Sequence, residues 1–136
     1  MTSPRLVAVI VGVSDLDRSA RFYEQAFAVQ LAPGDNDADG DRWIGGRHAE
    51  ISWTDGAYLH FALYPARGDA PTSGAQLSFG VDDIAAAHER AVAAGAEVVH
   101  EPTAQPWGTS ARYRDLDGNV IELTQHAARG TREQGL

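Results

Sequence analysis

Asp115-Leu116-Asp117-Gly118-Asn119-Val120-Ile121-Glu122-Leu123 is the stretch whose reading decides the fold. Asp, Gly and Asn tolerate positive φ, so the chain can reverse tightly at 117–119. The strand predicted over Val120–Gln125 then alternates. Ile121 and Leu123 take one side, and Val120, Glu122 and Thr124 take the other. A carboxylate on the less apolar face of such a strand lines either a cavity or a solvated surface, and this stretch alone is compatible with both.

Working outward, the chain repeats itself. Val11-Gly12-Val13-Ser14-Asp15-Leu16 matches Phe79-Gly80-Val81-Asp82-Asp83-Ile84 without gaps, and the match continues through Ala20–Ala28 against His88–Ala96. Each copy reads as strand, helix and further strands, which gives an α+β chain of two tandem βαβββ modules. The first module spans residues 5–66 and the second 75–126. A Gly/Asp/Pro/Thr/Ser-rich linker at 67–74 joins them, and a polar tail covers 127–136. At 136 residues and 14.5 kDa the whole fits one compact domain.

The helices carry their own punctuation. Ser14 or Asp15 caps the first, Asp17 favours its positive end, and Leu16, Ala20, Tyr23 and Phe27 form an apolar stripe. Asp82 or Asp83 opens the second, Ile84, Ala87, Ala91 and Ala94 continue the stripe, and Gly95 suits the position after the cap. His88 borders that stripe and reads as a surface or satisfied edge residue. Four strands share one parity: Val7, Val9, Val11 and Val13; Leu59, Phe61 and Leu63; Leu77, Phe79 and Val81; Ile121 and Leu123. The odd face therefore packs under the helices, and the mixed even face suits a ligand cavity.

Composition narrows the function. A formal net charge of −8 argues against nucleic acid and anionic membrane, which want clustered Lys and Arg. No apolar run approaches the ~20 residues of a membrane helix, and the start lacks a secretory pattern. With no cysteine there is no disulfide, thiolate nucleophile or Cys-based metal site, and a cytoplasmic location is the simplest expectation. The acidic run Asp35–Asp41 imitates the opening of a calcium loop but lacks the closing glutamate and the entering helix, so it reads as a solvated loop. His48, His100 and His126 read as surface residues, and no P-loop, nucleophile elbow or His-Glu-x-x-His is present.

The repeated unit, the Val-x-Asp helix entries at Val13 and Val81, and the closing Asp-x-Asp-Gly-Asn-x-Ile-Glu-Leu together resemble the vicinal oxygen chelate superfamily. That group includes glyoxalase I, extradiol dioxygenases, fosfomycin-modifying enzymes and bleomycin-type resistance proteins. The resemblance implies half-barrel sheets that enclose a cup, helices on the outer face, and a homodimer whose cups borrow strands from both subunits. It does not fix the reaction.

Metal-dependent members place one ligand on the first and one on the last strand of each module. The matching positions are Ala8, His60, Gln76 and Glu122, with His60 answering Glu122 across the repeat. Ala8 offers no donor. The remaining three give one nitrogen and two oxygens, a set that suits Zn, Ni, Mn or Fe only with water completing it. The expectation is a site without metal or other cofactor, with a divalent ion as the alternative.

The segment Gln105-Pro106-Trp107-Gly108-Thr109-Ser110-Ala111-Arg112 is similar to a Pro-Trp-Gly segment of the metal-free resistance branch. The resemblance thus implies a small-molecule binder. Trp107, Tyr64 and Trp43 are its stacking candidates, and His60, Gln76, Glu122 and Arg112 make directional contacts. Trp53 and Tyr58 are further aromatic candidates. The ligand class is a small aromatic or amphipathic molecule, such as an antibiotic held out of circulation. Two alternatives stay open. One is a lyase, isomerase or thiol transferase in which His60 and Glu122 are the catalytic candidates; the other is a structural or partner-binding module.

Overall fold

The computed structural model describes residues 4–36, 46–66, 68 and 70–127. Trp43, most of the acidic run and nearly all of the tail lie outside these residues. The chain divides into two compact units at residue 72, with Gln25–Phe27 belonging to the second.

In the first unit, β1 (Ala8–Val13) leads into α1 (Leu16–Phe27), followed by β2 (Ala32–Asn36), β3 (Gly46–Trp53) and β4 (Leu59–Pro65). The sheet runs β1-β4-β3-β2, with β1 parallel to β4 and the other pairs antiparallel. The second unit repeats the plan: β5 (Gln76–Gly80), α2 (Ile84–Ala93), β6 (Glu97–Gln105), β7 (Gly108–Arg114) and β8 (Val120–His126), in sheet order β5-β8-β7-β6. Parallel outer pairs demand a crossover, and in each unit the connection from first to last strand includes the helix. Among the described residues no helix is long and apolar enough to cross a membrane.

Of the two capping candidates for each helix, the second is used. The Asp15 carboxylate accepts from Arg18 N at 3.1 Å, and that of Asp83 accepts from Ala86 N at 3.2 Å. Each satisfies one orphan amide of its first turn. Gly95, at φ +83°, follows the end of α2, whereas α1 ends on Ala28 in the left-handed region at φ 59°.

Much of the odd-numbered face forms the core in both units, but Val7, expected on that face, lies ahead of β1 and is exposed. Val11, Val13, Phe61 and Leu63 are buried, and the Tyr23 ring of α1 lies 5.9 Å from that of Phe61. In the second unit Ala111, Tyr113, Ile121 and Leu123 are sealed from water, and Phe27 lies 5.7 Å from Tyr113. The Tyr113 hydroxyl meets His88 Nδ1 at 2.7 Å, so His88 ties α2 to the sheet, and burial pushes the Tyr113 phenol up to about 12. Burying each such large side chain stabilises the fold by roughly 1.5–3 kcal/mol.

The Asp115–Asn119 turn is a hydrogen-bonded clasp. Asp115 Oδ1 accepts from Asp117 N at 2.9 Å and Asn119 N at 2.8 Å, while Oδ2 accepts from Asn119 Nδ2 at 2.9 Å. Asn119 Oδ1 in turn accepts from Ala75 N at 3.1 Å, and Gly118 takes φ +91°. The motif thus pins the start of β8 beside β5 and fixes how β8 enters the sheet.

That register revises one expectation. Gly12 pairs with Tyr64, and its repeat counterpart Gly80 pairs with Thr124. Counting back, Glu122 corresponds to Ala62, and His60 corresponds to Val120. His60 and Glu122 share the even face of their respective sheets but stand two residues out of step. Sequence similarity alone carries no information on which residue of the returning strand lies beside a given residue of the first.

Candidate functional site

In the first unit the even face of β3 presents His48, Glu50 and Ser52 in a row, and β4 lays His60, Ala62 and Tyr64 alongside them. Ser52 and His60 are cross-strand partners, so their side chains meet: Ser52 Oγ is 2.7 Å from His60 Nδ1. The other ring nitrogen of His60 lies 3.4 Å from Glu50 Oε1, and that same oxygen is 3.0 Å from His48 Nε2. The Tyr58 hydroxyl completes the chain, 3.4 Å from Ser52 Oγ.

His48 is a correction to the surface placement expected of it. It is only 3% exposed, and its ring stacks on Tyr64 with centroids 4.5 Å apart and planes within 10°. Nδ1 faces the Gly46 carbonyl at 2.9 Å, which only accepts, so Nδ1 carries hydrogen. Gly34, the cross-strand partner of His48, leaves room for this ring. A Cβ there would stand 2.5 Å from His48 Nε2 and 2.9 Å from Glu50 Oε2. Tyr64 is accordingly buried beneath His48.

In the second unit Glu122 occupies the even face of β8, flanked by Ser78 on β5 and Arg112 on β7. Its Oε1 accepts from Ser78 Oγ at 2.8 Å and Thr124 Oγ1 at 3.3 Å, and its Oε2 accepts from Arg112 Nε at 3.2 Å. Burial alone would raise the carboxyl. The hydrogen bonds from Ser78, Arg112 and Thr124, with the Arg112 charge, outweigh that and hold it below the ordinary carboxylate value. Three of roughly four acceptor positions are already filled by the protein.

Beside this group, Ser110 pairs with Thr124 in register and shares its face. It is 0% exposed, and its hydroxyl has no partner among the described residues. A buried, unmatched hydroxyl costs about 1–3 kcal/mol. Gln76 is exposed and pairs with Val120, one step along the face from Glu122. Pro106 and Trp107 form the tight turn between β6 and β7, and the indole is 45% exposed. Gly108 carries φ +150°, and a Cβ there would collide with the Gln125 carbonyl, so the turn's shape is fixed by β8.

The structure thus assembles His60 with Ser52, Glu50 and Tyr58 in one unit, and Glu122 with Arg112, Ser78 and Thr124 in the other. Glu50, Ser52, Ser78 and Ser110 were not among the site candidates that the sequence suggested. For β3 the signal existed: His48-Ala49-Glu50-Ile51-Ser52-Trp53 alternates polar and apolar. Among the described residues, no group of three or more His, Cys, Asp or Glu side chains is arranged to hold a metal ion.

A sequence model described as the Glyoxalase/Bleomycin resistance protein/Dioxygenase superfamily matches residues 5–123. The chain belongs to this superfamily. A protein of Vibrio parahaemolyticus named as a probable lactoylglutathione lyase is 29% identical over 133 residues, covering 93% of this chain and 94% of its own. TnmS3 of Streptomyces sp. CB03234, described as an antibiotic binding protein, is 28% identical with a TM-score of 0.63, covering 93% of this chain and 99% of its own. A superfamily member from Sphaerobacter thermophilus has a TM-score of 0.66 at 20% identity, covering 91% and 98%, and shares the fold.

Proposed function

We propose that this protein binds a small aromatic or amphipathic molecule without a metal ion, in the manner of an antibiotic-sequestering protein. The observation that carries the reading is the buried, unpartnered Ser110 hydroxyl beside a Glu122 whose oxygens are already engaged. Such a face offers a directional polar contact to a neutral ligand group while leaving little donor capacity for a cation. Position 8, paired with His60, is an alanine and adds no ligand. The exposed Trp107 indole supplies stacking area, and Arg112 and Gln76 supply further polar contacts. The likeness to TnmS3 over nearly the whole of both chains supports the same reading.

The test is a tryptophan-fluorescence titration with a panel of planar aromatic antibiotics on wild type and Trp107→Phe. Saturable quenching in wild type, diminished in the variant, is expected. Unchanged emission across the panel overturns the proposal. A second reading, a metal-dependent lyase, is favoured by the likeness to the Vibrio protein. Stoichiometric divalent metal retained through dialysis, and lost in a His60→Ala or Glu122→Gln variant, selects it. The reading includes a homodimer, and sedimentation equilibrium measures it directly.

A further inference from the structure

We propose that Ser52, His60 and Glu50 form a nucleophile–base–acid array that acylates on Ser52 when offered a small carboxylic ester with a good leaving group, such as an aryl ester. The array lies wholly within the first unit and does not rest on the ligand-binding reading, which is carried by the second.

The argument begins with hydrogen positions. Glu50 as a carboxylate only accepts, so the His60 nitrogen facing it, Nε2, carries the hydrogen. In the neutral ring Nδ1 is then the lone-pair nitrogen, and the Ser52 hydroxyl donates to it across 2.7 Å. A hydroxyl bonded to an unprotonated imidazole whose far side is held by a carboxylate is the arrangement that activates serine, whatever the fold. Ser52 is exposed, so an ester can reach it, whereas His60 is half-buried between Ser52 and Glu50.

Tyr58 supplies the remaining part. Its hydroxyl is 3.4 Å from Ser52 Oγ and its ring is 50% exposed. An oxygen developing negative charge on a carbon bonded to Ser52 Oγ comes within donor range of that phenol.

In the step, Ser52 Oγ bonds to the carbonyl carbon and its proton passes to His60 Nδ1. The carbon–oxygen bond to the leaving phenol breaks, and the phenol departs with that proton. Water, deprotonated by His60, then releases the carboxylic acid and restores Ser52. Glu50 is a positioning residue that acts through His60. His48 draws on the same Glu50 oxygen at 3.0 Å, which moderates the activation.

The experiment uses the full chain and 4-nitrophenyl acetate, with peptide mapping by mass spectrometry. Nitrophenol release with acetyl located on Ser52 is expected. Ser52→Ala and His60→Gln abolish the label, Tyr58→Phe slows release by about 10²-fold, and Glu50→Gln lowers kcat with KM unchanged. Because the chain has no cysteine, Ser52→Cys provides an independent readout. With His60 present its alkylation by iodoacetamide should run about tenfold faster than in Ser52→Cys/His60→Gln, through a larger thiolate fraction. Equal alkylation rates in the two backgrounds, or acetyl found elsewhere with Ser52→Ala as fast as wild type, overturns the proposal.

Discussion

Arg112 and Glu122 face one another across β7 and β8, with the guanidinium Nε 3.2 Å from a carboxylate that is almost fully buried. The pair is lopsided, because Arg112 keeps 38% of its side chain in solvent while Glu122 keeps 9%. The cost of removing one partner therefore depends on which is removed. Arg112→Met strands a buried charge and should destabilise by about 2 kcal/mol, less than a fully buried pair because water reaches its outer half.

The same pair sets an acid limit. The folded value of Glu122 is lowered, so its contribution is complete above the ordinary carboxylate value of 4.5 and is lost as pH falls through the lowered one. Thermal unfolding followed from neutral pH downward should show wild type losing stability below that point. Glu122→Gln removes this component, so its curve should be flatter there. Parallel curves for the two proteins would show that Glu122 is not linked to folding.

Ser110 predicts a conflict between stability and binding. Its buried hydroxyl has no partner, so Ser110→Ala removes an unsatisfied group and should stabilise the protein by about 1 kcal/mol. If a ligand uses that hydroxyl, the same change weakens binding about tenfold. Urea unfolding and the fluorescence titration on one sample measure both. A stabilised variant with undiminished affinity would remove Ser110 from the site.

Gly34 is a position on the first sheet with no room for a methyl group. Gly34→Ala drives a Cβ into the His48 imidazole and the Glu50 carboxylate, and the Tyr64 stack blocks an easy retreat. Overpacking of this kind costs about 1–3 kcal/mol. A lower urea midpoint with an unchanged slope is expected, together with slower Ser52 acetylation as Glu50 is displaced.

Asn119 tests the turn. Asn119→Ala leaves the Asp115 carboxylate and the Ala75 amide short of partners and should cost about 2–4 kcal/mol. Asn119→Asp is nearly isosteric yet should cost as much, because it sets a second carboxylate against Asp115 in place of a donor. Denaturant unfolding of both variants checks this, and near-wild-type stability in Asn119→Asp would contradict the clasp.

The chain sequence alone determined the repeat, the helix caps and the division of each sheet into an apolar and a mixed face. These depend on local chemistry: aspartates that cap a first turn, a period of two in strands, and an Asp-x-Asp-Gly-Asn turn whose bonds nearly all close within five residues. Only tertiary structure decided the partners. His60 meets Ser52 because β3 and β4 pair antiparallel in one register, and Glu122 meets Ser78 because β5 lies parallel to β8. A shift of two residues keeps every side chain on its face and changes every neighbour. That is why the alternation of His48, Glu50 and Ser52 was visible in the chain while their network was not. Register is set by long-range contacts such as the Asn119–Ala75 bond, and these join residues the sequence holds far apart.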